Sequence, residues 1–291
     1  MKKCLQCASA FESADWRCPY CGRQPRTDDG IPVFAPELVD GDGTDAVYPF
    51  EAFVRAETSH FWFRNRAALI SWVIRKYFPA ATSMLEVGCG VGGVLLDIRR
   101  TNPRARLTGS ELLLRGLQQA KQRLTDVDFL QMDAQHIPFQ GEFDVIGAFD
   151  VLEHIDDDES VLRQIRAALT TGGGIVITVP QHQWLWSRFD EVCGHRRRYT
   201  RHDLIGKLRT AGFEPVRVTS FTSFALPLMM AARWYRRDVD LEQEVSVPVV
   251  PVNGLLWMLA SLERALIAAG VSFPAGGSLL VVAVAKGGSP S

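Results

Sequence analysis

Apolar residues in the central part of the chain come in short runs that end in glycine or an acid, with helical repeats between them. Residues 83–87 form the first run and lead into Gly88-Cys89-Gly90-Val91-Gly92-Gly93, after which Val94, Leu95, Leu96 and Ile98 begin a helical pattern. Residues 105–110 run up to Glu111, residues 129–132 to Asp133, and residues 143–149 to Asp150. Val161, Leu162, Ile165, Ala168 and Leu169 then share one face of an amphipathic helix. Gly172, Gly173 and Gly174 turn the chain into a strand over 175–179, and a last strand is predicted over 278–285. Strands and helices in alternation predict an α/β fold with a doubly wound, mostly parallel sheet.

The flanks break this rhythm. Residues 27–44 are rich in Pro, Gly and Asp and read as linker, so that 27–60 forms a lead-in to a core over 61–222 and 278–288. Residues 223–277 form a mainly helical insert before the last strand. Within it the start is nearly all apolar, Arg233-Trp234-Tyr235-Arg236-Arg237 is aromatic and basic, and Leu255, Leu259, Leu262 and Leu266 recur at helical spacing. A helix packed on its own domain explains such leucines most simply, while a lid, a dimer face or a membrane-surface element fits the same pattern.

Composition narrows the partners. With 291 residues, 47% of them apolar, the chain can bury a full α/β core and carry a small appendage. Lys plus Arg number 32 against 33 acids, so no global field draws the protein to nucleic acid, and none is expected as a partner. The start Met1-Lys2-Lys3-Cys4 lacks the apolar run of a signal peptide, and Arg233, Glu263 and Arg264 interrupt the best candidates for a membrane span. The expectation is a cytoplasmic protein that does not cross a bilayer, with peripheral contact to the inner face of the membrane left open through the insert. Oligomeric state is left open too.

Four of the six cysteines lie in the first 21 residues. Cys4-Leu5-Gln6-Cys7 and Cys18-Pro19-Tyr20-Cys21 are two knuckles that let four thiolates converge on one tetrahedral Zn²⁺. Residues 1–26 are too short to bury a core, so metal ligation would supply their folding energy. Four protein ligands leave no open position, which makes this zinc ribbon structural.

The strand, glycine turn and helix at 83–98 make a nucleotide-binding start, but Gly88, Gly90 and Gly93 also satisfy the dinucleotide fingerprint. Glu86, just before the glycines, can meet an ammonium and would repel a pyrophosphate. Glu111 can accept two ribose hydroxyls in either case. Asp133 can accept an adenine amino group, with the backbone of Met132 and Ala134 beside the ring.

Together, Leu85-Glu86-Val87-Gly88-Cys89-Gly90, Glu111, Asp133-Ala134 and Asp150-Val151-Leu152-Glu153-His154 resemble the successive motifs of class I methyltransferases that use S-adenosylmethionine. The resemblance spans about residues 63–222 and the last strand, and is to the branch acting on small molecules and lipid or sugar intermediates. It implies a Rossmann-like sheet of seven strands, the last antiparallel. It also implies cofactor contacts from Glu86, Gly88, Cys89, Gly90, Gly93, Glu111, Leu112, Met132, Asp133, Ala134, Phe149 and Asp150. Cys89 stands at a position that varies in the family, and the long insert departs from the family's short connection.

Acceptor groups should follow the strand at 175–179. His182, Trp184, Trp186 and Asp190 lie there, and Arg196, Arg197, Arg198 and Tyr199 come soon after, the three arginines suited to phosphate or carboxylate. His182, His154 and His195 are the candidate bases, with packed or solvent-facing histidines as the plain alternative. The expected reaction moves a methyl group to an O or N atom of a small acceptor that is phosphate-bearing or lipid-linked. An NAD-dependent oxidoreductase, or a non-catalytic module binding S-adenosylmethionine through the fold and partners through the ribbon, are the competing readings.

Overall fold

The apolar runs become strands because each is bounded by residues that cannot continue it. A computed structural model describes residues 1–39, 49–235 and 246–287. Its main sheet holds nine strands: β3 (Arg26–Asp28), β4 (Ile31–Val33), β5 (Ser83–Val87), β6 (Arg106–Glu111), β7 (Asp128–Gln131), β8 (Phe143–Phe149), β9 (Leu169–Pro180), β10 (Phe213–Phe221) and β11 (Ser278–Ala285). They lie in the order β10-β11-β9-β8-β5-β6-β7-β4-β3. β5 to β9 pair in parallel, whereas β11 runs antiparallel to both β9 and β10. This is the expected Rossmann-like core of seven strands with two more on one margin. The helical pattern was expected to extend to Leu169, but the strand already starts there and the glycines at 172–174 run inside it.

The α-helices among the described residues are α1 (Pro36–Val39), α2 (Phe50–Ser59), α3 (Phe61–Tyr77), α4 (Gly93–Thr101), α5 (Leu114–Arg123), α6 (Asp158–Ala168), α7 (Arg188–Val192), α8 (Arg201–Thr210), α9 (Leu226–Tyr235) and α10 (Val250–Ala268). Leu69, Ile70, Val73 and Ile74 of α3 share one buried cluster with Leu95 of α4 and Leu117 of α5. Val161, Leu162 and Ile165 of α6 share the other with Leu204 and Leu208 of α8. Each fully buried leucine or isoleucine stabilises this sandwich by roughly 1.5–3 kcal/mol over an exposed one.

The linker reading of residues 27–44 needs correcting. Asp29 and Gly30 take φ values of 45° and 74°, the turn that joins β3 to β4 as a tight hairpin. β4 then meets β7 in parallel at Val33 and Gln131, and the Gln131 amide bonds both the N–H and the carbonyl of Ala35. Residues 40–44 lie outside the described residues. Ahead of the hairpin, β1 (Lys2–Lys3) and β2 (Ala10–Phe11) form a small antiparallel ladder. It docks through Lys3 N–H to the Pro138 carbonyl and Trp16 edge-on to Phe34 and Phe139.

The insert holds two helices, α9 and α10, and α10 packs against α3. Contrary to the simplest expectation, its leucines are not the packing face: Leu255, Leu262 and Leu266 are 53%, 58% and 40% exposed. The inward face buries Ala260 and Ile267 and is tied down by polar groups. Asn253 accepts from Phe61 N–H and donates to the Ser59 carbonyl, Glu263 accepts from Thr222 and Ser223 N–H, and Arg264 donates to Asn65. Because its only charges are Glu263 and Arg264, this 19-residue helix is long and apolar enough to cross a membrane, which corrects the expectation that these residues interrupt such a stretch. Arg233, Trp234 and Tyr235 close α9, while Arg236 and Arg237 lie outside the described residues.

Candidate functional site

The carboxyl end of β5 enters a turn that only glycine tolerates. Gly88, Gly90 and Gly92 have φ of 70°, 53° and 85°. A Cβ on Gly88 would collide with Val151, and one on Gly93 with the Glu57 carboxylate. Glu57, from α2, also accepts from the Gly93 amide and pairs with Arg123 at 2.5 Å, whose guanidinium reaches the Val91 carbonyl. The loop is therefore clamped from outside.

Glu86 is buried on β5 directly before this turn, and its Oε2 has no hydrogen-bond partner. Burial pushes its carboxyl well above the usual range, opposed by the Arg66 guanidinium. Glu111 closes β6 beside the loop: its carboxylate accepts from Gly90 N–H at 3.0 Å, Leu112 N–H at 2.7 Å and Leu113 N–H at 3.2 Å. Asp133, beyond β7, accepts from Gln135 N–H and lies 2.9 Å from the His136 ring, between the buried Met132 and Ala134. Asp150 pairs with Arg66 at 2.9 Å and accepts from Thr178. The side chains of Cys89 and Phe149 belong to the core.

Backbone strain marks the other half of the same edge. Asp150, His182 and Thr222 carry φ of 57°, 66° and 60°, and each follows within two residues the end of β8, β9 or β10, three strands that run in one direction. Non-glycine residues in this region cost about 1–3 kcal/mol each and gather where function over-determines them. The His182 ring stacks on Trp184 at 4.8 Å, and its Nε2 is buried without a hydrogen-bond partner. Burial first, then Arg198, lowers the His182 pKa, leaving a neutral imidazole able to take a proton. Trp184 is 56% exposed and Trp186 half-buried, so both can be reached by a ligand.

Several expected acceptor contacts are committed elsewhere. Asp190 is fully buried and holds Arg198 with two bonds, 2.7 and 3.0 Å, as well as His195 at 2.9 Å. Although burial pulls the Asp190 pKa upward, those bonds hold it at about 2. Tyr199 is also fully buried and donates to Asp158 at 2.6 Å; burial and that bond push its phenol far up. Neither side chain has surface for a ligand, so their assignment to acceptor binding is corrected to internal bracing. Arg197 is spent on Asp158 and the Asp156 carbonyl, which leaves Arg196 as the exposed guanidinium of the three. His154 and His195 meet edge to face at 4.8 Å.

At the N-terminus, the Cys4 and Cys21 sulfurs lie 3.6 Å apart and those of Cys7 and Cys18 3.7 Å, and all four gather within 4.8 Å. Hydrogen bonds from Ser9 lower the Cys7 pKa to about 6.

This arrangement has relatives. Residues 54–218 match the family described as a methyltransferase domain. The chain belongs to that family. The chain is 31% identical over 101 residues to a ubiquinone/menaquinone biosynthesis C-methyltransferase of Desulfotalea psychrophila, covering 34% of this chain and 41% of that one. It is 27% identical over 186 residues to ajmaline N-methyltransferase of Rauvolfia serpentina, covering 60% and 62%. The chain thus spans less than two thirds of the length of these curated relatives. Among solved structures, it shares its fold with a Haemonchus contortus phosphoethanolamine N-methyltransferase in complex with phosphomonomethylethanolamine and S-adenosylhomocysteine (TM-score 0.56, 21% identity, 86% of this chain and 59% of that one). It shares it likewise with a Haloferax volcanii complex of the Trm112 activator and a methyltransferase (TM-score 0.55, 18% identity, 83% and 98%). The oxidoreductase reading lapses with the family, in keeping with the charge of Glu86 at the turn.

The sequence reading gave no role to three groups at this edge of the sheet: Glu57, Arg66 and Glu153. Only Glu153 lies in a recognised motif; Glu57 and Arg66 are single charges on helices, joined to the site by the fold.

Proposed function

We propose that this methyltransferase takes its methyl group from S-adenosylmethionine and delivers it to an O or N atom of a small, lipid-linked acceptor at a membrane surface. The observation that carries the donor is Glu86, a buried carboxylate with an unpartnered oxygen behind a cradle that a Cβ would fill. An ammonium group answers that charge. In this reading Glu111 takes the ribose hydroxyls, and Asp133, with the backbone of Met132 and Ala134, takes the adenine. The cofactor, when bound, supplies an electrophilic methyl group; the chain's part is to align the acceptor, exclude water and, through neutral His182, receive a proton.

Support for a lipid-linked acceptor comes from the insert. The phosphate reading loses Arg197 and Arg198 to internal carboxylates, whereas Val250, Val252, Leu255, Met258 and Leu262 of α10 stay outward. Such a face suits the acyl boundary of a membrane more than water. At the ribbon, sulfur spacings of 3.6–3.7 Å suit a zinc ion bonded at about 2.3 Å, and we assign Cys4, Cys7, Cys18 and Cys21 to a structural Zn²⁺.

Methyl-labelled S-adenosylmethionine incubated with the protein and a total membrane-lipid extract should place label in the organic phase. Label only in water-soluble products would overturn the lipid reading, and no binding of S-adenosylmethionine by calorimetry would overturn the donor.

A further inference from the structure

Glu153 is a charge without an answer. It is fully buried in the 3-10 turn Leu152–His154 after β8, and neither carboxylate oxygen meets a hydrogen-bond partner outside its own residue. Arg66 and Arg198 lie close enough to act on it through space, yet Arg66 pairs with Asp150 and donates to the Phe149 carbonyl, and Arg198 donates to Asp190. An ionised carboxylate so placed is costly unless a cation or a proton joins it.

Two imidazoles face the same point. Ligand atoms of Glu153, His154 and His195 all lie within 4.8 Å of one another. His195 uses Nδ1 on Asp190, and His154 donates a ring N–H to the Cys193 backbone, so each imidazole is fixed through one nitrogen and carries a second that a metal could use. A carboxylate or carbonyl behind each imidazole is the usual partner arrangement of metal-bound histidine. Asp190 is itself locked by Arg198 and by the Ser187 capping box, so this support is rigid.

We propose that Glu153, His154 and His195 form a second metal site, distinct from the cysteine ribbon, for a divalent ion of the Zn²⁺ or Fe²⁺ class. Two imidazoles and a carboxylate are the donor set such ions favour, and three protein ligands leave a position open. Bonds of about 2.0–2.2 Å would require the donors to draw somewhat closer than they stand, a movement within reach of side-chain torsions. His154 keeps an exposed edge, which gives the ion a path in. The open position suits an oxygen of the acceptor; that last step rests on the methyl-transfer reading, whereas metal binding does not.

Cobalt separates the two sites, because thiolate-bound Co²⁺ absorbs strongly in the near ultraviolet and imidazole- or carboxylate-bound Co²⁺ shows only weak visible bands. Metal-stripped full-length protein titrated with Co²⁺ should bind one equivalent without the thiolate band, whether or not the ribbon also fills. Glu153→Gln, nearly isosteric, should weaken that equivalent at least 100-fold while leaving the thiolate signal of the ribbon in place. The proposal fails if the wild-type chain takes up no thiolate-free equivalent at millimolar Co²⁺. It fails equally if Glu153→Gln and His195→Ala both retain it with unchanged affinity.

Discussion

The two halves of the sheet's carboxyl edge are built by different means. On the donor half, from β5 to β7, each group stands at the end of its own strand, and its partners are often backbone amides within a few residues, as with Glu111 and Leu112. On the acceptor half, from β8 to β10, the groups are brought together from distant segments: Tyr199, Arg197 and Lys207 converge on Asp158, and Arg198 and His195 on Asp190. The first half is written in short motifs, and the second is a network whose members mean little singly.

That contrast can be broken experimentally. Arg198→Ala should cost about 3–5 kcal/mol of stability by leaving Asp190 buried and unpaired. Chemical denaturation showing a loss under about 1 kcal/mol would make the acceptor half a loose surface and not a brace. Glu111→Ala should weaken S-adenosylmethionine binding by about 1–3 kcal/mol, measured by calorimetry, as polar groups lose a charged acceptor. Unchanged affinity would take Glu111 out of the donor half.

Acid should separate the halves further. The Asp190 pKa is held at about 2, below its unfolded value, so the stability it contributes is present above about pH 4 and is lost as pH falls toward 2. Glu86 is shifted the other way by burial, so its neutralisation as pH falls favours the folded state. Hydrogen-exchange protection at pH 3 relative to pH 6 should therefore drop in peptides around 187–200 and hold around 83–95. Equal losses would show that the two halves titrate as one unit. The smallest effect on stability is expected from Leu255→Ser with Leu262→Ser, within about 0.5 kcal/mol because both are exposed. The same pair should abolish flotation with liposomes; full retention would remove α10 from the membrane reading.

What the sequence revealed follows the same division. The glycine turn, Glu86, Glu111 and Asp133 could be read from strand periodicity, because their spacing along the chain is their spacing in the site. Asp190 and Tyr199 read as acceptor contacts because polarity in a loop looks alike whether it faces a ligand or a buried partner. Deciding between them needed Arg198 and Asp158, which only the fold brings near. The leucines of α10 misled for a related reason: helical spacing shows that a stripe exists, but not which way it points. The Asp29-Gly30 turn was legible in principle, as a hairpin signal submerged in a run that resembled linker.

The short strands at the N-terminus bear on how the molecule behaves in a crowd. An open parallel sheet ends in a row of unpaired N–H and carbonyl groups that can recruit another chain. Here one margin is β3, three exposed residues, Arg-Thr-Asp, too short and too charged to extend. The other is β10, where Pro215 and a break in register before Arg217 interrupt the ladder, and where Glu214 lies between Arg209 and Lys286. Both margins are blunted, so the sheet can keep an apolar interior across nine strands without offering a template for aggregation.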